Sequence, residues 1–248
     1  MWSDVFASLS LATLAALWGG ALLGGIAAGA AGFAFGIAAS AIWLHALEPL
    51  HATFLIVAGG LAIQAGTIWP LRHSLDLRRL WPALLAVVAG APVGVWLLVR
   101  SDVHTLKIVL GAFLTIYGLY ALLAPRLPQI AAGGRAADTG IALLAGVMGG
   151  LGGYSGVAPA IWSQLRGWPK DVARAFYQPL IVTAHIATIA AIGVVALDRQ
   201  GLVLFVLALP ALAVGAWLGW TIYGRLDERR FRQVFAALLM LSGLVLMF

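Results

Sequence analysis

Apolar positions in this 248-residue chain run in long blocks, and the charged positions fall between them. All nine acidic residues, among them Asp4, Glu48, Asp102, Asp138, Asp198 and Asp227, mark ends of apolar runs. Six runs, roughly 52–70, 80–99, 105–124, 175–196, 202–224 and 231–248, each approach the ~20 residues a membrane-spanning helix requires. Trp69, Trp81 and Trp168 stand at run ends, where an interfacial aromatic belt belongs. Two stretches resist this scheme. Residues 5–46 are too long for one span, and residues 139–165 are too short for two. Each has a glycine cluster at its centre, which predicts two helices meeting at a break.

Composition fits this pattern. Hydrophobic residues make up 62% and charged residues only 10% of the chain, against about 25% charged in a soluble domain. The sequence therefore predicts an all-α polytopic membrane protein with 8–10 membrane segments. With no cysteine, disulfides, thiolate metal sites and cysteine catalysis are excluded. The net charge of +6 comes without a basic arm or interleaved aromatics, so no nucleic-acid partner is expected. No Lys or Arg precedes the first apolar run, so residues 5–28 read as a retained helix rather than a cleaved signal peptide.

The basic residues orient the chain. If each glycine-broken stretch enters and leaves on the same side, three of the 15 Lys and Arg (Arg100, Lys107 and Arg199) fall on one side and the other twelve, Arg126 among them, on the opposite side. If each stretch crosses once, the split is only nine against six. The positive-inside rule favours the first arrangement, with both termini outside a bacterial plasma membrane.

The chain also repeats itself. Gly29, Gly32, Gly36 and Pro49 recur as Gly149, Gly152, Gly156 and Pro169, 120 positions on. Gln64, Thr67, Gly94 and Trp96 recur as His185, Thr188, Gly215 and Trp217 at 121, and Asp102 and Gly118 as Asp227 and Gly243 at 125. This predicts two repeats, 1–127 and 128–248, each a glycine-broken helix pair plus three spanning helices. An odd number of crossings per half inverts one repeat relative to the other, an arrangement typical of secondary transporters.

Backbone groups at a break inside the membrane must be satisfied, so a break is tolerated within protein or beside a cavity. Half-helix N-termini there offer N–H groups and partial positive charge to an anion. Gly29 and Gly94 read as close helix packing. Gly32 and Gly36 in one cluster, and Gly152, Gly153 and Gly156 in the other, read as a site. No Asp or Glu lies inside a predicted span, which disfavours a cation site and any metal. The span residues instead form a donor-rich lining: Ser40, Gln64, Thr67, Ser155, Ser163, Gln164, Tyr177, Gln178, Thr183, His185 and Thr188, with Tyr154 at the second break. Tyr177, Ile181, His185 and Thr188 share a helix face. His185 has two readings, a neutral hydrogen-bonded histidine or a substrate ligand and proton carrier. Arg174 is either an interfacial charge or a residue reaching inward. Trp43 and Trp162, just after the breaks, either wall the pocket or face lipid. No cofactor is expected.

Gly153-Tyr154-Ser155-Gly156 also spells the GxSG of rhomboid intramembrane proteases, with His185 as a possible base. Against this, the equivalent of Ser155 in the first half is Phe35, so the repeated property is the glycine backbone and not the hydroxyl.

Taken together, GGIAAGAAGFAFG with Glu48-Pro49 and GVMGGLGGYSG with Trp168-Pro169-Lys170 resemble the TauE/SafE sulfite-exporter group over nearly the whole chain. The family's loop of proline, basic residues and a small residue is evident in Pro169–Ala173 and faint in Pro49–Ala52. The resemblance implies transport of sulfite, organosulfonates or other small organic anions, with an anion channel as the alternative.

Overall fold

The computed structural model describes residues 10–100, 103–124, 128–192 and 199–247. Residues 5–9 of the first apolar run, Asp4, Asp102, Arg126, Asp198 and the 127/128 repeat boundary lie outside them. The described residues form an all-helical array. In chain order it comprises α1 (Leu11–Ala31), α2 (Phe35–Ala46), α3 (Pro49–Ile68) with a 3₁₀ turn at Trp69–Ser74, α4 (Leu77–Arg100) and α5 (Val103–Leu123). Then follow α6 (Gly134–Gly152), α7 (Val157–Leu165), α8 (Lys170–Ile192), α9 (Arg199–Arg225) and α10 (Glu228–Met247).

The two awkward stretches are helix pairs, as their glycines predict. Gly32 ends α1 and Gly153 ends α6, both at φ 81°, a left-handed conformation that a side chain resists. The following half-helices have 12 and nine residues. At 1.5 Å per residue neither spans a ~30 Å hydrocarbon core. Among the described residues, four helical segments are long and apolar enough to cross a membrane: Leu11–Ala31, Phe54–Ser74, Leu77–Leu97 and Arg199–Arg225. Their outward faces carry exposed large apolar side chains such as Leu85, Trp96, Val206 and Trp217, as lipid contact requires and water would penalise. The chain is an all-α polytopic membrane protein.

The most extensive pairings are α1 with α9, α4 with α6, and α5 with α10. Exchanging the two halves maps the first pairing onto the second and the third onto itself. Small residues make these pairs close: Gly94 meets Gly150 across α4 and α6, and Gly29 meets Gly219 across α1 and α9. Gly29 and Gly94 are thus helix-packing residues, as the sequence predicts.

One acidic residue departs from the loop-marker pattern. Asp138 lies inside α6 at 1% exposure, not between helices. Its carboxylate takes the Trp162 indole N–H at 2.8 Å and the Arg79 guanidinium at 2.8 Å. A lone buried carboxylate would be costly, and this pairing from α4 and α7 removes that cost.

Candidate functional site

The two breaks, 120 positions apart in sequence, lie against each other. A methyl group added at Gly156 would strike Phe33 Cβ at 2.6 Å, and one at Gly36 would sit 3.8 Å from the Gly153 carbonyl oxygen. Adding 120 to Phe33 and Gly36 gives Gly153 and Gly156, so the two contacts are each other's repeat equivalents.

Helices α3 and α8 line this junction in opposite order. Along α3, Ile56 meets Gly36 and Gly153 first, and Gln64 reaches Gly32 two turns later. Along α8, Tyr177 and Gln178 meet Gly32 first, then Ile181 meets Gly156, and His185 lies at the Gly153 backbone. The equivalent helices therefore pass the breaks in opposite directions. They touch where His185 packs on Gly60, a position at which a Cβ would come within 2.7 Å of the imidazole.

At the first break the α1 carbonyls are taken up by side chains. Arg174 Nη1 donates to Gly29 O at 2.8 Å, the Tyr177 hydroxyl to Ala31 O at 2.5 Å and Gln64 Nε2 to Gly32 O at 2.7 Å. Gln178 Nε2 donates to Thr67 Oγ1 at 3.2 Å, and the Thr67 hydroxyl lies 3.3 Å from Gln64 Oε1. Arg174 is fully buried, with its guanidinium 4.2 Å from the Tyr223 ring centroid and 4.9 Å from that of Trp220. A cation at the carbonyl end of α1 complements the helix dipole. Arg174 reaches inward: its Nη1 holds the end of α1, while Nε, which faces Gly32, and Nη2 have no hydrogen-bond partner among the described residues.

The second break closes itself. The Gly153 N–H donates to Gly149 O at 2.8 Å and the Tyr154 N–H to Met148 O at 3.2 Å, a Schellman-type closure made by backbone alone. This leaves side chains over. Among the described residues Ser155 Oγ and Thr188 Oγ1 are buried with no hydrogen-bond partner, and the buried His185 nitrogens make no well-formed bond, the Gly153 backbone being the polar group they approach. Ser155 and Thr188 meet at Gly149, where a Cβ would lie 3.2 Å from Ser155 Cβ and 3.8 Å from Thr188 Oγ1; His185, one turn before Thr188 on α8, lies against Gly60 and the Gly153 backbone. Ala34 and Gly156, which open α2 and α7, provide no side-chain cap; at α7 the Val157 N–H is taken by Tyr154 O and Pro159 has none, so the uncapped N–H groups are chiefly those of α2. Unpaired buried donors cost ~1–3 kcal/mol each, a cost that a bound acceptor would relieve.

No hydrogen bond joins Ser155 to His185, although nucleophilic catalysis requires one.

Other predicted site residues are placed elsewhere. The Trp43 N–H donates to Leu17 O at 3.1 Å, and the Trp43 ring packs on Gly20 and Phe35. Trp162 donates to Asp138. Each indole thus ties a half-helix to the helix before its break and lies buried, away from lipid. Gln164 lies at the far end of α7, on a separate cavity. Tyr154 packs partly buried on the core around Phe33 and Ile181, with its ring over Gly152. Thr188 stands on the same face of α8 as Tyr177, Ile181 and His185, as their i, i+4, i+8, i+11 spacing predicts. Gly60 and Ile56 carried no signal, because small and aliphatic residues occur throughout the spans.

A family model described as "Sulfite exporter TauE/SafE" matches residues 17–246, nearly the full chain. No curated protein and no solved structure matches it.

Proposed function

The chain belongs to the TauE/SafE sulfite exporter family, and on that premise we propose that it carries a sulfur-containing anion, sulfite or an organosulfonate, across the plasma membrane by alternating access. The observation that carries this reading is the trio Ser155, Thr188 and His185, buried at the junction of the two breaks with no well-formed hydrogen bond among the described residues. Two hydroxyls and an imidazole N–H can each donate to an oxyanion. The uncapped start of α2 adds N–H groups, and the starts of α2 and α7 add positive dipole ends. Gly153 and Gly156 keep the backbone within reach of the ligand. Arg174 holds the first break rigid and adds positive potential further along α8.

In this reading the chain consists of two inverted repeats, 1–127 and 128–248, which rock against each other about the junction. The opposite order in which α3 and α8 pass the breaks supports it. Both termini lie outside, in line with the basic residues. His185 carries the coupling proton if transport is proton-driven, because it is the titratable group at the junction itself.

The test is sulfite uptake against a gradient into liposomes containing the purified protein, which a channel cannot achieve. Parallel thermal unfolding in detergent, with sulfite, sulfoacetate, taurine and sulfate, identifies the ligand through the stabilisation that native-state binding confers. We expect a sulfur oxyanion to raise the unfolding temperature, and Ser155→Ala with His185→Ala to abolish the shift. An undiminished shift in that double variant overturns the placement of the site. Sulfite flux that only ever runs downhill overturns the carrier mechanism.

A further inference from the structure

A second polar cavity lies away from the breaks, at the end of the molecule where α5 finishes and α10 begins. It measures about 210 Å³, well above the ~30 Å³ share of one water molecule. Tyr117, Gln164, Arg229, Arg232 and Gln233 supply its polar wall, and Phe235 its floor. The neighbouring acidic groups on α10 are committed elsewhere. Asp227 pairs with Arg230, with its Oδ2 3.8 Å from Arg230 Nε and its Oδ1 accepting the Arg230 N–H at 2.7 Å. The two Glu228 oxygens accept the Lys170 N–H at 3.2 Å each. The Arg229 and Arg232 guanidiniums, three positions apart and so on one helix face, therefore stand beside the cavity with no carboxylate paired to them among the described residues. The Tyr117 hydroxyl is buried and has no partner.

From this geometry we propose that the cavity is a second oxyanion site, in which Arg229 and Arg232 bind an anion of the sulfite or phosphate type and Gln164, Gln233 and Tyr117 orient it. Guanidinium groups match such oxygens in charge and planar geometry. The source of the oxyanion is either free solute or the phosphate of an anionic lipid. The location links it to the first site. Gln164 closes α7, and α7 opens at the second break, so the cavity lies one half-helix, ~13 Å, from the junction. An anion gathered here is concentrated beside the substrate route, an electrostatic steering role. That role rests on the transport reading; the binding itself does not.

The experiment uses the full-length protein in detergent. Sulfite and phosphate are titrated by calorimetry, and retention of phosphatidylglycerol against phosphatidylcholine is read by native mass spectrometry. The protein is compared with and without Arg229→Gln/Arg232→Gln, at low and moderate salt. Both arginines are exposed, so the fold should tolerate the change. We expect about tenfold weaker binding in the double variant, in line with the loss of charge-assisted hydrogen bonds. A fall in sulfite and phosphate affinity identifies free anion, and a fall confined to phosphatidylglycerol identifies lipid. Unchanged binding of all three overturns the proposal. Repeating the sulfite titration in Ser155→Ala/His185→Ala separates the two sites: its remaining binding should disappear with the arginines. If that variant binds like the wild type, the break reading fails while the cavity stands on its own arginine result.

Discussion

The two breaks share a backbone and differ in what surrounds it. Gly32 and Gly153 adopt the same left-handed conformation, and both end a helix whose successor is too short to cross. Around the first, Phe35, Gln64 and Thr67 are inert or already bonded: Phe35 packs on Trp43, Gln64 holds Gly32, and Thr67 sits between Gln64 and Gln178. Their repeat equivalents, Ser155, His185 and Thr188, are polar and buried, with no well-formed bond among the described residues. The reciprocal exchange occurs on the helices that face the breaks. Tyr177 caps α1, whereas its equivalent Ile56 offers only a methyl to Gly153. The groups bonded at the first break hold the end of α1, whereas Ser155, Thr188 and His185 beside the second make no such bond among the described residues; Arg174 Nε and Nη2 and Gln178 Oε1, on the side chains that meet Gly32, are buried without a partner as well. Anchoring and binding make opposite demands on a hydrogen-bonding group.

This contrast can be broken most decisively at Arg174. Replacing it with Gln removes a charge-assisted bond to Gly29 O and leaves buried carbonyls poorly satisfied, a loss of about 3 kcal/mol. A melting temperature unchanged in thermal unfolding would mean the first break is not an anchor.

Next in size is the pair Gly32→Ala and Gly153→Ala. Both force a Cβ into the left-handed region, at ~1–2 kcal/mol. At Gly32 the methyl also strikes Tyr177 Cε2 at 2.9 Å and Arg174 Nε and Gln178 Nε2 at 3.0 Å, while at Gly153 its nearest neighbour is Ile56 Cγ2 at 3.5 Å. Gly32→Ala should therefore destabilise more by about a further 1–2 kcal/mol. Equal losses in parallel melts would show that the environments of the breaks do not differ as described.

Smaller still is the effect of Gln64→Leu, about 1–2 kcal/mol for the lost bond to Gly32 O. Its counterpart His185→Leu should be neutral or stabilising, because it removes nitrogens that make no well-formed bond. Denaturant midpoints that rank the other way would reverse the assignment of anchor and site. The smallest stability change belongs to Ser155→Ala, within ~0.5 kcal/mol. Its effect should appear in sulfite binding instead, as about tenfold weaker affinity for one lost donor. Full affinity in a sulfite titration would take Ser155 out of the site.

Much of this architecture was legible in the sequence. Apolar runs bounded by charge located α3, α4, α5, α8, α9 and α10, because a chain facing lipid must keep its polar residues at run ends. The glycine clusters located both breaks, because a left-handed helix end is costly for any other residue. The 120–121 offset paired Gln64 with His185, and His185 proved to stand at its own break as Gln64 stands at the other. The clamps made by Trp43 and Trp162 were not legible in the sequence for a physical reason: which carbonyl or carboxylate comes within reach of each indole N–H is set by helix packing. Asp138 escaped the loop pattern because its partners, Arg79 and Trp162, lie far away in sequence.

By itself, then, the sequence determined what its periodicity and residue types must obey: an all-helical membrane chain with two glycine-broken helices. Only the tertiary structure decided which polar groups are occupied. That depends on where carbonyls from one repeat end relative to side chains from the other, as in Arg174 on Gly29 and Tyr177 on Ala31. Hydrogen bonds reach about 3 Å, and no sequence pattern states which groups come that close across a separation of 145 positions.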